Sequence, residues 1–182
     1  VSGDPLTISE LVAPTEQQFL ALCDVLIDCV AGGASVSFMH PLSIEKAHGY
    51  WRGVALAAAA GERVLLVATD SAGIFGTVQL VLGKPENQPH RADVSKLLVH
   101  RRARRRGFGA ALMLAAERAA LARGKSLLVL DTAVGGGAER LYEQLGWRSV
   151  GVVPEFALWP HGGLCATHFY YRSLMSVSVA GS

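Results

Sequence analysis

Cysteine is scarce in this chain. Only Cys23, Cys29 and Cys165 occur among 182 residues, and no two stand in a C-x-x-C pair. An odd, unspaced set reads as buried free thiols in a reducing compartment rather than a disulfide framework. The six histidines show neither H-x-x-x-H nor paired Cys/His spacing, so no metal site is expected. No apolar run approaches the ~18 residues of a membrane span. The N-terminus also lacks the basic-then-apolar pattern of a secretory signal, so the expectation is a cytoplasmic protein with no membrane partner. Net charge is small as well: 17 basic against 15 acidic residues leave +2. General nucleic-acid binding needs a wider basic face than this balance provides. A nucleotide P-loop is excluded by the absence of G-x-x-x-x-G-K-[ST].

What is present is an ordered, globular composition, 51% hydrophobic and 18% charged. Residues 1–174 are expected to form a single domain and residues 175–182 a loosely ordered tail. Thr15 is placed to cap a helix running to about Val30, with Phe19, Leu22, Cys23, Leu26 and Ile27 on one face. Ser43 caps a second helix that ends near Gly61. Residues 6–11, 63–69 and 75–82 read as strands, the last two joined at a tight turn. Residues 126–131 read as an interior strand and residues 138–145 as a short helix. Two closing strands, 147–154 and 167–174, flank an expected loop over residues 155–166.

The chain is organised around its middle. Residues 93–99 read as a buried strand and residues 111–122 as a helix. Between them lie Arg101, Arg102, Arg104, Arg105 and Arg106, followed by Gly107, Phe108, Gly109 and Ala110. A strand entering a helix through a basic, glycine-containing turn builds an anion site. The first helical N–H groups lack partners, and the helix dipole favours negative charge there. The pattern lacks the third glycine of G-x-G-x-x-G, because Leu112 stands in its place, which argues against a dinucleotide.

Arg104-x-x-Gly107-x-Gly109 directly after a strand resembles the coenzyme A signature Q/R-x-x-G-x-G/A of the GNAT family of acyl-CoA N-acyltransferases. The whole element order, β-α-α-β-β-β-α-β-α-β-β, is similar to that family's. The resemblance implies an α/β (α+β) fold. Its mixed, mostly antiparallel sheet would have six to seven strands flanked by four helices, with a parallel pair at the coenzyme cleft. It further implies acetyl-CoA as the cofactor, with Leu98 and Val99 beside the pantetheine arm. Backbone groups of Arg104, Arg105, Arg106, Gly107, Phe108, Gly109 and Ala110 would face the pyrophosphate. Tyr142, in Ala138-x-x-Leu-Tyr142-x-x-x-Gly146-Trp147, matches the family's proton donor to the leaving thiolate. Many members carry Asn where this chain has Gly135, so Gly135 backbone or Thr132 would make that contact instead.

Asp131 at the end of an interior strand is the candidate for handling the amine, against a plain role as cap of the following glycine turn. Glu155 and His168, near the acceptor side, are secondary candidates for the base. Ser35, Phe38, Met39, Glu155, Trp159 and His161 are expected to form the acceptor site. Lys96 suggests a buried ion pair with an acid such as Asp93. Residues 32–39, 91–99 and Asp131-Thr132 are similar to the tabtoxin-resistance type of acetyltransferase, which implies a small-molecule primary amine as the acceptor, such as an amino-acid-like compound or antimetabolite. A homodimer is compatible with this resemblance. The competing expectations are a non-catalytic acyl-CoA sensor of the same fold and a nucleic-acid module. The arginine run has no interleaved aromatics for base stacking, which argues against the latter.

Overall fold

The computed structural model describes residues 7–83 and 85–174. The expected tail, residues 175–182, lies outside the described residues. Strand β1 (Thr7–Glu10) leads to helix α1 (Glu16–Ala31) and helix α2 (Ile44–Ala59). Next come β2 (Arg63–Asp70), β3 (Gly73–Val81) and β4 (Arg91–Val99). A 3₁₀ turn (Arg101–Ala103) precedes α3 (Phe108–Leu121), β5 (Leu127–Ala133), α4 (Glu139–Gln144), β6 (Arg148–Leu158) and β7 (Leu164–Ser173). Local chemistry sets both early helix starts. Thr15 and Gln18 form a reciprocal capping box, worth about 1 kcal/mol, and the Ser43 hydroxyl accepts the Lys46 N–H at 3.2 Å.

The strands form one seven-stranded sheet in the order β1-β2-β3-β4-β5-β7-β6. Every neighbouring pair is antiparallel except β4 and β5. Alternation along β2 shows how both faces are covered. Val64, Leu66 and Ala68 pack into a core with Leu112, Met113 and Ala116 of α3. Leu65 and Val67 pack with Leu22, Leu26 and Trp51 of α1 and α2. Each large side chain fully buried this way contributes roughly 1.5–3 kcal/mol, so a helix layer on each face is required.

The parallel pair opens the molecule. β4 and β5 are in register only at Arg91–Leu127, Ala92–Leu128 and Asp93–Val129. Beyond Asp93, β4 bulges against β3, with Lys96 at φ 51, while β5 stays paired to β7 as far as Ala133. A bulge bends its strand and breaks the ladder, and here it parts β4 from β5 into a wedge.

Two expectations are corrected. β5 continues to Ala133, so Asp131 lies within the strand rather than at its end. The expected loop over residues 155–166 is mostly hairpin. β6 reaches Leu158 and β7 begins at Leu164, with a bulge between Val153 and Ala157 where Glu155 takes φ 52. Pro154 and Glu155 look like a loop in the sequence because a bulge leaves residues unpaired within a strand. Among the described residues, no helix is long and apolar enough to cross a membrane.

Candidate active site

The basic turn resolves into arginines with different tasks. The Arg101 guanidinium and backbone N–H both bond Asp28 of α1. Arg102 donates to Asp70 at 2.8 and 3.3 Å. Arg104 donates from Nε to the Val99 carbonyl at 2.9 Å, which closes the end of β4. Arg106 lies over the Phe108 ring, 4.8 Å from its centroid. Arg105 has no ion pair among the described residues; it sits at φ 61 and lines a groove. Gly107 follows at φ 79 as the N-cap of α3 and offers no side-chain oxygen to the helix, so the first N–H groups of α3 are uncapped. The left-handed conformation is what the glycine supplies.

The groove, about 510 Å³, brings together Leu98, Val99, Arg104, Arg105, Gly107, Phe108, Gly109 and Ala110, as expected from the sequence. Two expectations about it need correction. Arg106 does not line the groove, because it stacks on Phe108. Gly135 is outside it too: its N–H is held by Glu139 Oε2 at 2.9 Å, and Gly137 and Ala138 line the groove instead. Gly109 lines the groove, and an added Cβ there would come 3.2 Å from Leu141 Cδ2, so α4 packs closely on α3 at this glycine. Cys29 and Gln144 also line the groove and had no signal in the sequence.

Where β4 and β5 separate, a smaller cavity of about 170 Å³ holds Lys96, Asp131, Thr132 and Tyr142. Leu97, Ala34 and Ala138 line both this wedge and the groove, so the two communicate. Tyr142 is 6% exposed and packs its ring 5.8 Å from that of Tyr170 and 6.1 Å from that of Trp147. Burial, then the Asp131 carboxylate and Tyr170, push its phenol well above the ordinary value of 10.0. The hydroxyl therefore stays an O–H donor throughout the physiological range. Asp131 is exposed into the cleft. It does not cap the glycine turn, which Glu139 holds.

Lys96 is not paired with Asp93, whose carboxylate lies 3.4 Å from Arg91. Its Nζ donates to Ser37 Oγ at 3.1 Å and lies 5.9 Å from the centre of the Tyr50 ring. Burial lowers its pKa from the ordinary 10.5; the Asp131 charge opposes that shift, and Arg63 adds to it.

A third cavity, about 480 Å³, adjoins the wedge through Ser35, Asp131 and Ala133. It collects Ser35, Phe38, Met39 and Glu155 from the expected acceptor set, and adds Ser37, Phe156, Leu164 and Thr167. Trp159 lines the wedge rather than this cavity. His161 lines neither; its Nε2 lies 3.2 Å from the Ala31 carbonyl and its ring stacks on His40, tying the β6–β7 hairpin tip to α1. His168 is committed elsewhere as well, 3.0 Å from Glu139 Oε1 and 2.7 Å from Ser149 Oγ. Among the described residues no cluster of His, Cys, Asp and Glu is placed to hold a metal ion.

Residues 61–149 match the family model described as an acetyltransferase (GNAT) domain. Over that segment, just under half of its length, the chain resembles a GNAT acetyltransferase domain. The match spans β2 through α4, which includes the basic turn, the β4 and β5 walls of the wedge and Tyr142. A curated relative from Azospirillum brasilense, named an uncharacterized N-acetyltransferase in the hisH-hisA intergenic region, is 35% identical over 114 residues. That alignment covers 60% of this chain and 65% of the relative, just under two thirds of its length. Solved structures extend the likeness in fold to nearly the whole chain. A GCN5-related N-acetyltransferase from Kribbella flavida superposes with a TM-score of 0.76 at 24% identity, covering 93% of this chain and 98% of that one. The Salmonella typhimurium protein yncA, solved with its cofactor acetyl-CoA, gives 0.75 at 15% identity, covering 97% and 98%. The likeness in fold therefore reaches well beyond residues 61–149.

Proposed function

We propose that this protein transfers an acetyl group from acetyl-CoA to the primary amine of a small molecule, by direct attack with both substrates bound. One observation carries this reading. The groove at the uncapped start of α3, the wedge holding Asp131 and Tyr142, and the cavity around Phe38 and Met39 form one continuous path. A donor held at one end can meet an acceptor held at the other only in the wedge.

The groove suits a pyrophosphate. Unpartnered helical N–H groups and Arg105 supply donors and charge, and the left-handed Gly107 turns the backbone toward the ligand. Acetyl-CoA supplies the acyl group as an activated thioester. A simple alkyl amine, with a pKa near ~10.4, is neutral in fewer than about one molecule in a thousand at pH 7. Asp131 faces the cleft and is free to take the amine's proton or to hold its ammonium. Tyr142 presents its retained O–H to the departing thiolate. Ser35, Phe38, Met39, Glu155 and Phe156 surround the acceptor and set its shape. The finer resemblance to the tabtoxin-resistance type favours an amino-acid-like compound or antimetabolite as acceptor. Three buried free thiols suit a reducing cytoplasmic setting. A Tyr142 aimed into the wedge favours an enzyme over a passive acyl-CoA sensor.

The test is an amine panel incubated with acetyl-CoA, read by release of free thiol and by the mass of the acylated product. Amine-dependent thiol release with a matching N-acetyl product supports the assignment. Tight coenzyme binding with no turnover on any amine would favour the sensor.

A further inference from the structure

The protein keeps an amine of its own in the cleft. Of the described lysines, only Lys96 lines any of the three connected cavities. The bulge in β4 and its left-handed backbone place this residue in the wedge that also holds Asp131 and Tyr142. No carboxylate comes within ion-pair distance of its Nζ among the described residues, where its hydrogen bond goes to the neutral Ser37 hydroxyl. Lys96 is half-buried, and a lysine partly withdrawn from water without a paired carboxylate is shifted toward its neutral form, the direction in which Lys96 moves. The charged and titratable groups around it are Asp131 on β5, Arg63 on β2 and Tyr50 on α2. A neutral amine can still donate one hydrogen to Ser37 Oγ and keep its lone pair free for the cleft.

We propose that Lys96 is a self-modification site: when acetyl-CoA is bound and no acceptor is present, its Nζ takes the acetyl group. The inference rests on the acetyltransferase reading above. In the step, the Lys96 nitrogen forms a bond to the thioester carbonyl carbon and the carbon–sulfur bond breaks. Asp131, too far from Nζ for direct contact, takes the proton lost by nitrogen through one intervening water, and the sulfur leaves as thiol with the Tyr142 proton. No further reactant is needed. The product is an uncharged acetyl-lysine filling the approximately 170 Å³ wedge, so the modified enzyme is switched off until the group is removed. Acceptor bound beside Asp131 would intercept the acetyl group, so the modification reports an enzyme with donor but no acceptor.

The experiment incubates the full chain with acetyl-CoA and no amine, follows intact mass, and maps the modified peptide. One acetyl group at Lys96 is expected, forming faster than at Lys46 or Lys125. Its rate should rise with pH as the amine loses its proton. It should fall by about 10²-fold or more in Tyr142→Phe, the low end of what a lost general acid costs. Lys96→Arg should carry no acetyl group in the wedge while still binding coenzyme by calorimetry. Coenzyme binding and turnover of an added amine, with Lys96 unmodified after prolonged incubation, would overturn the inference and leave the acetyltransferase reading intact. Labelling of Lys96 at the same rate as Lys46 and Lys125, unaffected by Tyr142→Phe, would overturn it as well. Failure to bind coenzyme at all would overturn both.

Discussion

Glu139 Oε2 accepts the Gly135 N–H at 2.9 Å, so the glycine turn after β5 is held from α4 and the Asp131 carboxylate is left facing the cleft. Glu139 is itself fixed by His168, and its carboxyl is held below the ordinary 4.5 by the Gly135 N–H first and then by His168. On the proposed function, stability and chemistry fall to different carboxylates. Asp131→Asn should leave the melting temperature almost unchanged and reduce turnover, with coenzyme affinity retained. A pH–rate series separates the two roles on the amine. A lost base is partly rescued as pH rises, whereas a lost ammonium anchor appears as a raised acceptor KM. Coincident wild-type and variant profiles would make Asp131 structural.

Glu139→Ala should do the reverse. It frees the exposed Gly135 N–H to water and removes the partner of His168, so stability should fall by about 0.5–1.5 kcal/mol, the net worth of a typical hydrogen bond. Gly137 and Ala138 line the coenzyme groove, so coenzyme affinity should fall with it. Denaturant unfolding beside calorimetric titration checks both.

The arginine run should divide under single substitution. Arg105→Ala should weaken coenzyme binding by roughly tenfold, the scale of one charged hydrogen bond, with less effect at high salt. Arg101→Ala should spare affinity and cost stability, because its partner Asp28 has a side chain only 8% exposed. Gly107→Ala meets no atom within 4 Å but forces a Cβ into the left-handed region, a cost of about 1–2 kcal/mol. Calorimetry at two salt concentrations distinguishes the three.

Burial pushes the Cys23 thiol up from 9.0 to about 11. Between those values the unfolded chain releases a proton that the folded chain keeps, so stability is intact below pH 9 and falls as pH rises toward 11. The loss from this one group is on the order of 2 kcal/mol across the window. Cys29, Tyr50 and Tyr142 shift in the same direction, so the informative quantity is a difference. Cys23→Ala should show a shallower decline than wild type in melting temperature from pH 9 to 11; parallel curves would contradict it.

The helices and the order of strands were legible because caps and periodicity are local: Thr15 and Ser43 announce their helices, and the apolar run of β5 announces an interior strand. Gly107 and Tyr142 stand out in the sequence because each lies in one short motif, and the fold sets them at the groove and the wedge. What failed to show depends on partners far along the chain. Five neighbouring arginines look equivalent until Asp28 and Asp70 engage two of them. His161 reads as an acceptor-site group until the hairpin sets it against Ala31. Lys96 reads as one more alternating strand position, because a bulge carries no reliable signature in its own residues.

The central claim is that acyl transfer takes place in the wedge, with Tyr142 serving the leaving thiolate. Tyr142→Phe removes one oxygen and keeps the ring packing against Tyr170 and Trp147. The deciding measurement is turnover of acetyl-CoA with the best amine of the panel, wild type beside Tyr142→Phe, with coenzyme affinity measured on both. The expected result is a loss of about 10²–10⁴ in kcat at nearly unchanged coenzyme affinity. Equal turnover in a variant of equal stability would contradict it and return Tyr142 to the core.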